Sequence, residues 1–315
     1  MITTVTLNPA IDREYFVKNH KPGDNKYIYD NEHLKVTPGG KGLLAAINLK
    51  KLGYSDVQNM GFVGGRQGLF FEKMVQEYKV TTNYVFTENE IRNNVKVVGD
   101  APVTYTQFND YTYSVKGNEV EEFIKRFKRG IVDSDFIILA GSIPEGVNFD
   151  IYRRLIEICK EQDKLVYLQA SGEALNKSLD MKPDVVVPYF KHTDKILDKR
   201  VKDLSDYIDA GNELLANGAK YAILPFHCDR LLFTPKKIFK LTPLDFCLKN
   251  WLGAGDAYSA AFFDYIDRYG FKFVEANRYG GAAALSIAEE NSIFVENRAE
   301  IEQNVERIII KEVEV

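Results

Sequence analysis

The chain has 315 residues, 45% of them hydrophobic and 27% charged, with a formal charge of −4 at pH 7 and a pI near 5.7. That length allows one large α/β domain or two smaller ones, with a core large enough to need no covalent staples. The mild acidity argues against a general nucleic-acid or anionic-membrane partner and leaves room for local basic sites that take a small anion.

Residues 2–7 are β-branched and end at Asn8-Pro9, which predicts a strand followed by a turn, with Asp12 just beyond it. Met1 leads straight into this strand without a basic leader or a long apolar segment, so a cytoplasmic protein is expected. Residues 13–36 are mixed. The short pieces 15–17 and 27–29 around Pro22-Gly23-Asp24 predict a hairpin-like excursion. Pro38-Gly39-Gly40-Lys41-Gly42 then opens a helix over 43–52, stopped by Gly53. A glycine loop with a lysine at a helix start can hold a phosphorylated ligand, although the spacing is not that of a P-loop. A plain tight turn with a solvated lysine fits the same residues.

Residues 61–65 predict a second strand and turn, and 67–78 a helix. The alternating runs 84–86, 91–98 and 103–108 predict a second, half-exposed sheet that complements the first excursion. Arg92 and Lys96, four apart, fall on one face of their strand. Solvated strand charges would look the same. From residue 119 onward strands and helices alternate. Helices are expected over 119–129, 150–161, 204–217, 256–269, 274–289 and 298–308, and strands over 136–139, 165–168, 184–187 and 221–224. Continuous apolar strands between amphipathic helices mean a mostly parallel sheet covered on both faces, with ligands beyond the strand C-termini.

Gly253-Ala254-Gly255-Asp256 is the segment with the most chemistry. Its glycines let the backbone turn several N–H groups toward one point, and the helix that follows presents unpaired N–H groups and partial positive charge. A carboxylate at such an anion site suits a base beside an incoming phosphoryl group. Asp256 would equally serve as a simple N-cap. Asp12, the 38–42 loop, the 141–146 loop and residues 253–256 all follow strands or strand-like approaches, which favours the catalytic reading. Cys159, Cys228 and Cys247 have no pairing or metal spacing, and Cys159 falls in an apolar helical pattern that predicts a buried thiol. The four histidines show no metal spacing, and no metal ligand is expected among the side chains. No G-x-S-x-G elbow supports a hydrolase.

Six segments in this order resemble the phosphofructokinase-B branch of the ribokinase-like sugar kinases, and within it the 1-phosphofructokinases and tagatose-6-phosphate kinases. They are residues 6–12, the Gly39-Gly40-Lys41-Gly42 loop, Arg92 with Asn94-Val95-Lys96, Gly141-Ser142-Ile143-Pro144, residues 171–175 and residues 253–256. The resemblance implies a three-layer αβα kinase domain over 1–315, with a β-sheet lid from about 11–36 and 84–113 through which two copies could pair. It implies ATP and Mg²⁺ as cofactors and a ketohexose phosphate as substrate. By matching position, Asp12 would hold a sugar hydroxyl, and Gly39 and Gly40 would approach the sugar. Lys41, Arg92 and Ser142 would hold the phosphate already present. Asp256 would be the base, and Gly253, Ala254 and Gly255 the anion hole, with Gly253 and Gly255 also binding nucleotide.

The chain departs from the family on the nucleotide side. Val187-Pro188-Tyr189-Phe190-Lys191-His192 replaces a lysine-proline-asparagine run with its following glutamate, and Tyr189 and His192 are poor ligands for a hard cation. Gln169 stands in place of an aspartate, Leu44 in place of an asparagine, and residues 225–230 in place of a serine- and glycine-containing nucleotide loop. An altered but active kinase and a degenerate member that senses a sugar phosphate or nucleotide both remain open. A nucleoside or vitamin kinase is disfavoured, since an unphosphorylated substrate does not need both Lys41 and Arg92.

Overall fold

The computed structural model describes residues 1–19, 21, 23, 25, 27, 33–100, 103–111, 113–188, 195–249, 252–290 and 292–314. Among them, a ten-stranded sheet forms the centre of the molecule. Its strands lie in the spatial order Ile308–Glu312, Ile238–Pro243, Asp229–Phe233, Tyr221–Phe226, Val185–Val186, Leu165–Gln169, Phe136–Ala140, Ile2–Thr6, Val57–Gly64 and Thr81–Thr87. From Tyr221–Phe226 to Thr81–Thr87 the strands run parallel, as the βα alternation requires. The three at the other edge are antiparallel.

Every residue of Ile2–Thr6 and of Val57–Gly64 is buried, which demands cover on both faces of the sheet. The Lys41–Lys51 helix packs on Ala254–Tyr269, which packs on Phe273–Glu289, while Gly117–Gly130 packs on Ile151–Glu161. Cys159 is buried, and burial pushes its thiol above the ordinary range. Cys228 and Cys247 are exposed. Among the described residues no helix is long and apolar enough to cross a membrane.

A separate four-stranded sheet, in the order Leu34–Gly39, Ala10–Val17, Arg92–Asp100 and Val103–Asn109, joins the two excursions. Its central pair is parallel, with Ala10 opposite Arg92 and Asp12 opposite Asn94.

Several sequence expectations are corrected. Residues 84–86 belong to Thr81–Thr87 of the main sheet rather than to the small one. That strand pairs in parallel with Val57–Gly64 and buries Tyr84 and Val85, so its alternation reflects an edge of the large core. The first excursion includes the strand Leu34–Gly39, and of the expected piece 27–29, Ile28 and Tyr29 lie outside the described residues. Asp12, expected just beyond the Asn8-Pro9 turn, sits inside the strand Ala10–Val17. Residues 225–230 are a hairpin joining Tyr221–Phe226 to Asp229–Phe233, with a tight turn at His227 and Cys228. The last helix ends at Asn304, and Ile308, expected to close it, opens an edge strand instead. The tight, antiparallel additions share the apolar runs of helices and parallel strands, so periodicity alone could not separate them.

Candidate active site

The C-terminal ends of the parallel strands and the inner face of the small sheet enclose a cleft of about 550 Å³. Asp12, Gly40, Lys41, Arg92, Ser142, Gly253, Gly255 and Asp256 all line it. Gly39 and Ala254 do not. Gly39 lies beneath Asp12, where an added Cβ would come within 2.8 Å of the Asp12 carboxylate and push it from its place. Ala254 instead lines a second, largely apolar cavity of about 240 Å³ on the far side of the same helix start.

The 253–256 turn answers the question left open at Asp256. The helix begins at Ala254, and its N-cap is Gly253, held at φ 80° with no side-chain cap. Asp256 is the third residue of the helix, and its backbone N–H donates to the Gly253 carbonyl at 3.0 Å. Its carboxylate is only 4% exposed, and Oδ1 has no hydrogen-bond partner among the described residues. A capping aspartate would spend that oxygen on the backbone. Burial holds the Asp256 carboxyl above the ordinary carboxylate range, and the Lys41 ammonium, 4.0 Å away, opposes that rise. A buried carboxylate oxygen without a hydrogen bond costs stability and marks a candidate functional group.

Lys41 is the first residue of the Lys41–Lys51 helix, so two helix N-termini face the cleft, that of residue 41 and that of residue 254. At the other end the strand period puts Arg92, Asn94 and Lys96 on one face. Asn94 Nδ2 donates to Asp12 Oδ1 at 2.7 Å, and Lys96 Nζ lies 3.4 Å from Asp12 Oδ2. The Arg92 guanidinium donates to the carbonyls of Asn8 and Pro9, at 3.2 and 3.4 Å, and Asn8 Nδ2 donates to Ser142 Oγ at 3.1 Å. Arg92 and Ser142 are thereby joined through Asn8, while Lys41 stands beside Asp256. Lys96, Asn8 and Arg230 also line the cleft and were not singled out by sequence reasoning as site residues. For Lys96 the signal existed in the shared strand face with Arg92, but the register that brings it to Asp12 did not.

Lys41, Arg92, Lys96 and Arg230 outweigh Asp12 and Asp256 around the cleft, a balance that suits a polyanion. The cradle fits nucleotide phosphates. Among the described residues no group of three or more His, Cys, Asp or Glu could hold a metal ion, so the chain supplies no all-protein cage for Mg²⁺. Asp12 is engaged by Asn94 and Lys96. No step is therefore assigned to the ion. Tyr189 and His192 lie outside the described residues, whereas Leu44 and Gln169 line the cleft.

Residues 5–298 match the model of the pfkB family carbohydrate kinases. The chain is similar to the 1-phosphofructokinase of Bacillus subtilis, at 30% identity over 92% of this chain and 94% of that protein. It is also similar to a tagatose-6-phosphate kinase of Staphylococcus epidermidis, at 26% identity over 82% of each. Among solved structures, a possible 1-phosphofructokinase from Thermotoga maritima superposes with a TM-score of 0.93 at 27% identity, covering 99% of both chains.

Proposed function

The chain belongs to the pfkB family of carbohydrate kinases, and from that premise we propose that it moves the γ-phosphoryl group of ATP onto a hydroxyl of a ketohexose phosphate, of the fructose 1-phosphate or tagatose 6-phosphate type. The observation that carries this reading is the buried Asp256 carboxylate, whose Oδ1 has no hydrogen bond among the described residues, at the start of a helix in a cation-lined cleft. In the proposed step the sugar oxygen forms a bond to the γ-phosphorus as the bond to the β–γ bridging oxygen breaks. Asp256 takes the hydroxyl proton, and ADP leaves. Such a transfer asks for positioning and charge neutralisation more than covalent chemistry. The N–H groups at 253–255 are suited to the transferring phosphoryl oxygens, as donors aimed where charge collects.

The position of Lys41, 4.0 Å from Asp256, supports a role at the transferring phosphoryl. Arg92 and Ser142, joined through Asn8, are then left for the phosphate already on the sugar. Asp12, oriented by Asn94 and Lys96, is set to accept from a sugar hydroxyl. The small sheet acts as the lid that excludes water from ATP. The test is ADP release, coupled to a reporter reaction, with fructose 1-phosphate and with tagatose 6-phosphate. Turnover is expected with at least one of them. Binding of both sugar phosphates without turnover would leave a sensor in place of a kinase.

Two variants probe the two ends of the cleft. Asp12→Asn should raise KM for the sugar phosphate about ten- to a hundredfold, the worth of a hydrogen bond to a charged group, with little change in melting temperature. Lys41→Met should lower kcat and, by removing the cation that opposes the rise in the Asp256 pKa, move the acidic limb of kcat/KM to higher pH. An unmoved limb would show that Lys41 does not act on Asp256.

A further inference from the structure

We infer that Arg230 binds the polyphosphate of the nucleotide, at the point where the chain of phosphates passes from an apolar base pocket to the 253–256 turn. The inference rests on the kinase reading above and adds to it a residue and a path for the nucleotide.

Arg230 lines both the cleft and the apolar cavity of about 240 Å³. Leu241, Pro243, Phe246, Leu248 and Leu285 give that cavity the character of a seat for a planar base. Ala254 lines it too, whereas its neighbours Gly253 and Gly255 line the cleft, so the two spaces meet across the first turn of the helix. A nucleotide with its base in one space and its terminal phosphoryl at the other must lay its phosphates across that junction. Arg230 is the cation there.

The local structure holds the guanidinium ready for that task. Its Cζ lies 4.2 Å from the centre of the Tyr258 ring, and the Tyr258 hydroxyl is held in turn by donating to Asn277 Oδ1. Stacking fixes the plane of an arginine while leaving its N–H edge open, and that edge matches phosphate oxygens two at a time. Among the described residues no carboxylate comes within 4.0 Å of it. The adjacent Asp229 is engaged elsewhere, with Lys240 Nζ at 2.7 Å. This guanidinium packs on a ring and lines both open spaces.

The experiment measures dissociation constants of ATP, ADP and AMP for the wild-type protein, Arg230→Met and Arg230→Lys, by titration calorimetry. Arg230→Met should weaken ATP and ADP about ten- to a hundredfold and leave AMP within about twofold, because AMP places no β- or γ-phosphate at the junction. Arg230→Lys, which keeps the charge and loses the fork, should recover part of that loss. Equal weakening of ATP and AMP by both variants would mark a packing role and overturn the assignment, as would unchanged ATP binding in Arg230→Met. A wild-type protein that binds no ATP would overturn the kinase reading itself. ATP binding and turnover in wild type with no triphosphate-selective loss in the variants would overturn Arg230 alone.

Discussion

Asp256→Asn is expected to lower kcat by about 10²- to 10⁴-fold, the usual contribution of a positioned general base, while making the protein more stable at neutral pH. Both effects come from the same burial. The carboxyl is held above the ordinary carboxylate range because its charged form is taken out of water, with Lys41 only partly offsetting the cost. The folded protein therefore keeps this proton to a higher pH than the unfolded chain does. Between the ordinary and the raised pKa the folded state binds more protons, so stability falls as pH rises through that window and stays lost above it. A neutral amide of the same shape avoids that loss. The melting-temperature advantage of Asp256→Asn over wild type should accordingly grow with pH through the window and then level off. An advantage that shrinks as pH rises would mean Asp256 is stabilised as a carboxylate and is not the base of raised pKa proposed above. In the active protein, the requirement for an ionised base puts the acidic limb of kcat/KM above the pH expected for an ordinary aspartate.

A comparison of Gly253→Ala with Gly255→Ala should separate the backbone geometry of the turn from its access to the phosphoryl group. Gly253 has φ 80°, which an alanine resists, and an added Cβ would lie 2.6 Å from the Ile293 carbonyl oxygen. Neither atom is the end of a flexible side chain, so the turn must move. Gly253→Ala is expected to lose about 10²- to 10³-fold in kcat, the scale of losing one preorganised donor, and to melt earlier. Gly255 differs. Its added Cβ meets only Gln169 Nε2, at 3.8 Å, and its place inside the first helical turn favours alanine by up to about 1 kcal/mol. Gly255→Ala should thus fold at least as well as wild type yet turn over more slowly, because the methyl group enters the cleft where the proposed transfer would bring the phosphoryl. Equal kcat in Gly255→Ala and wild type would show that no phosphate comes close to this residue.

The class of the fold and most of the singled-out residues that line the cleft could be read from the chain. Alternating apolar strands and amphipathic helices specify a parallel sheet covered on both faces. A glycine loop running into a helix start is a local statement about backbone N–H groups, and it needs no partner to be recognised. For the same reason Asp12, Lys41 and Asp256 stood out by residue type and position relative to a strand or helix end, while the family resemblance supplied the roles of Arg92 and Ser142. Sequence could not decide between a cap and a base at Asp256, since both put an aspartate in the first helical turn. The cap reading depended on whether Oδ1 finds the backbone, and it does not, because the helix Ala254–Tyr269 takes Gly253 as its N-cap.

Everything that depends on register or long-range pairing had to wait for the fold. Thr81–Thr87 joined the main sheet because its parallel partner Val57–Gly64 buries it. Lys96 reached Asp12 because Ala10–Val17 and Arg92–Asp100 align Asp12 with Asn94. Residues 225–230 became a hairpin that carries Arg230 to the junction of two cavities, where a stretch of sequence offered only an irregular loop. Local chemistry is written in a few adjacent residues, and the sequence by itself determined it. Which distant side chains meet is set by sheet pairing and packing over the whole chain, and only the tertiary structure decided that.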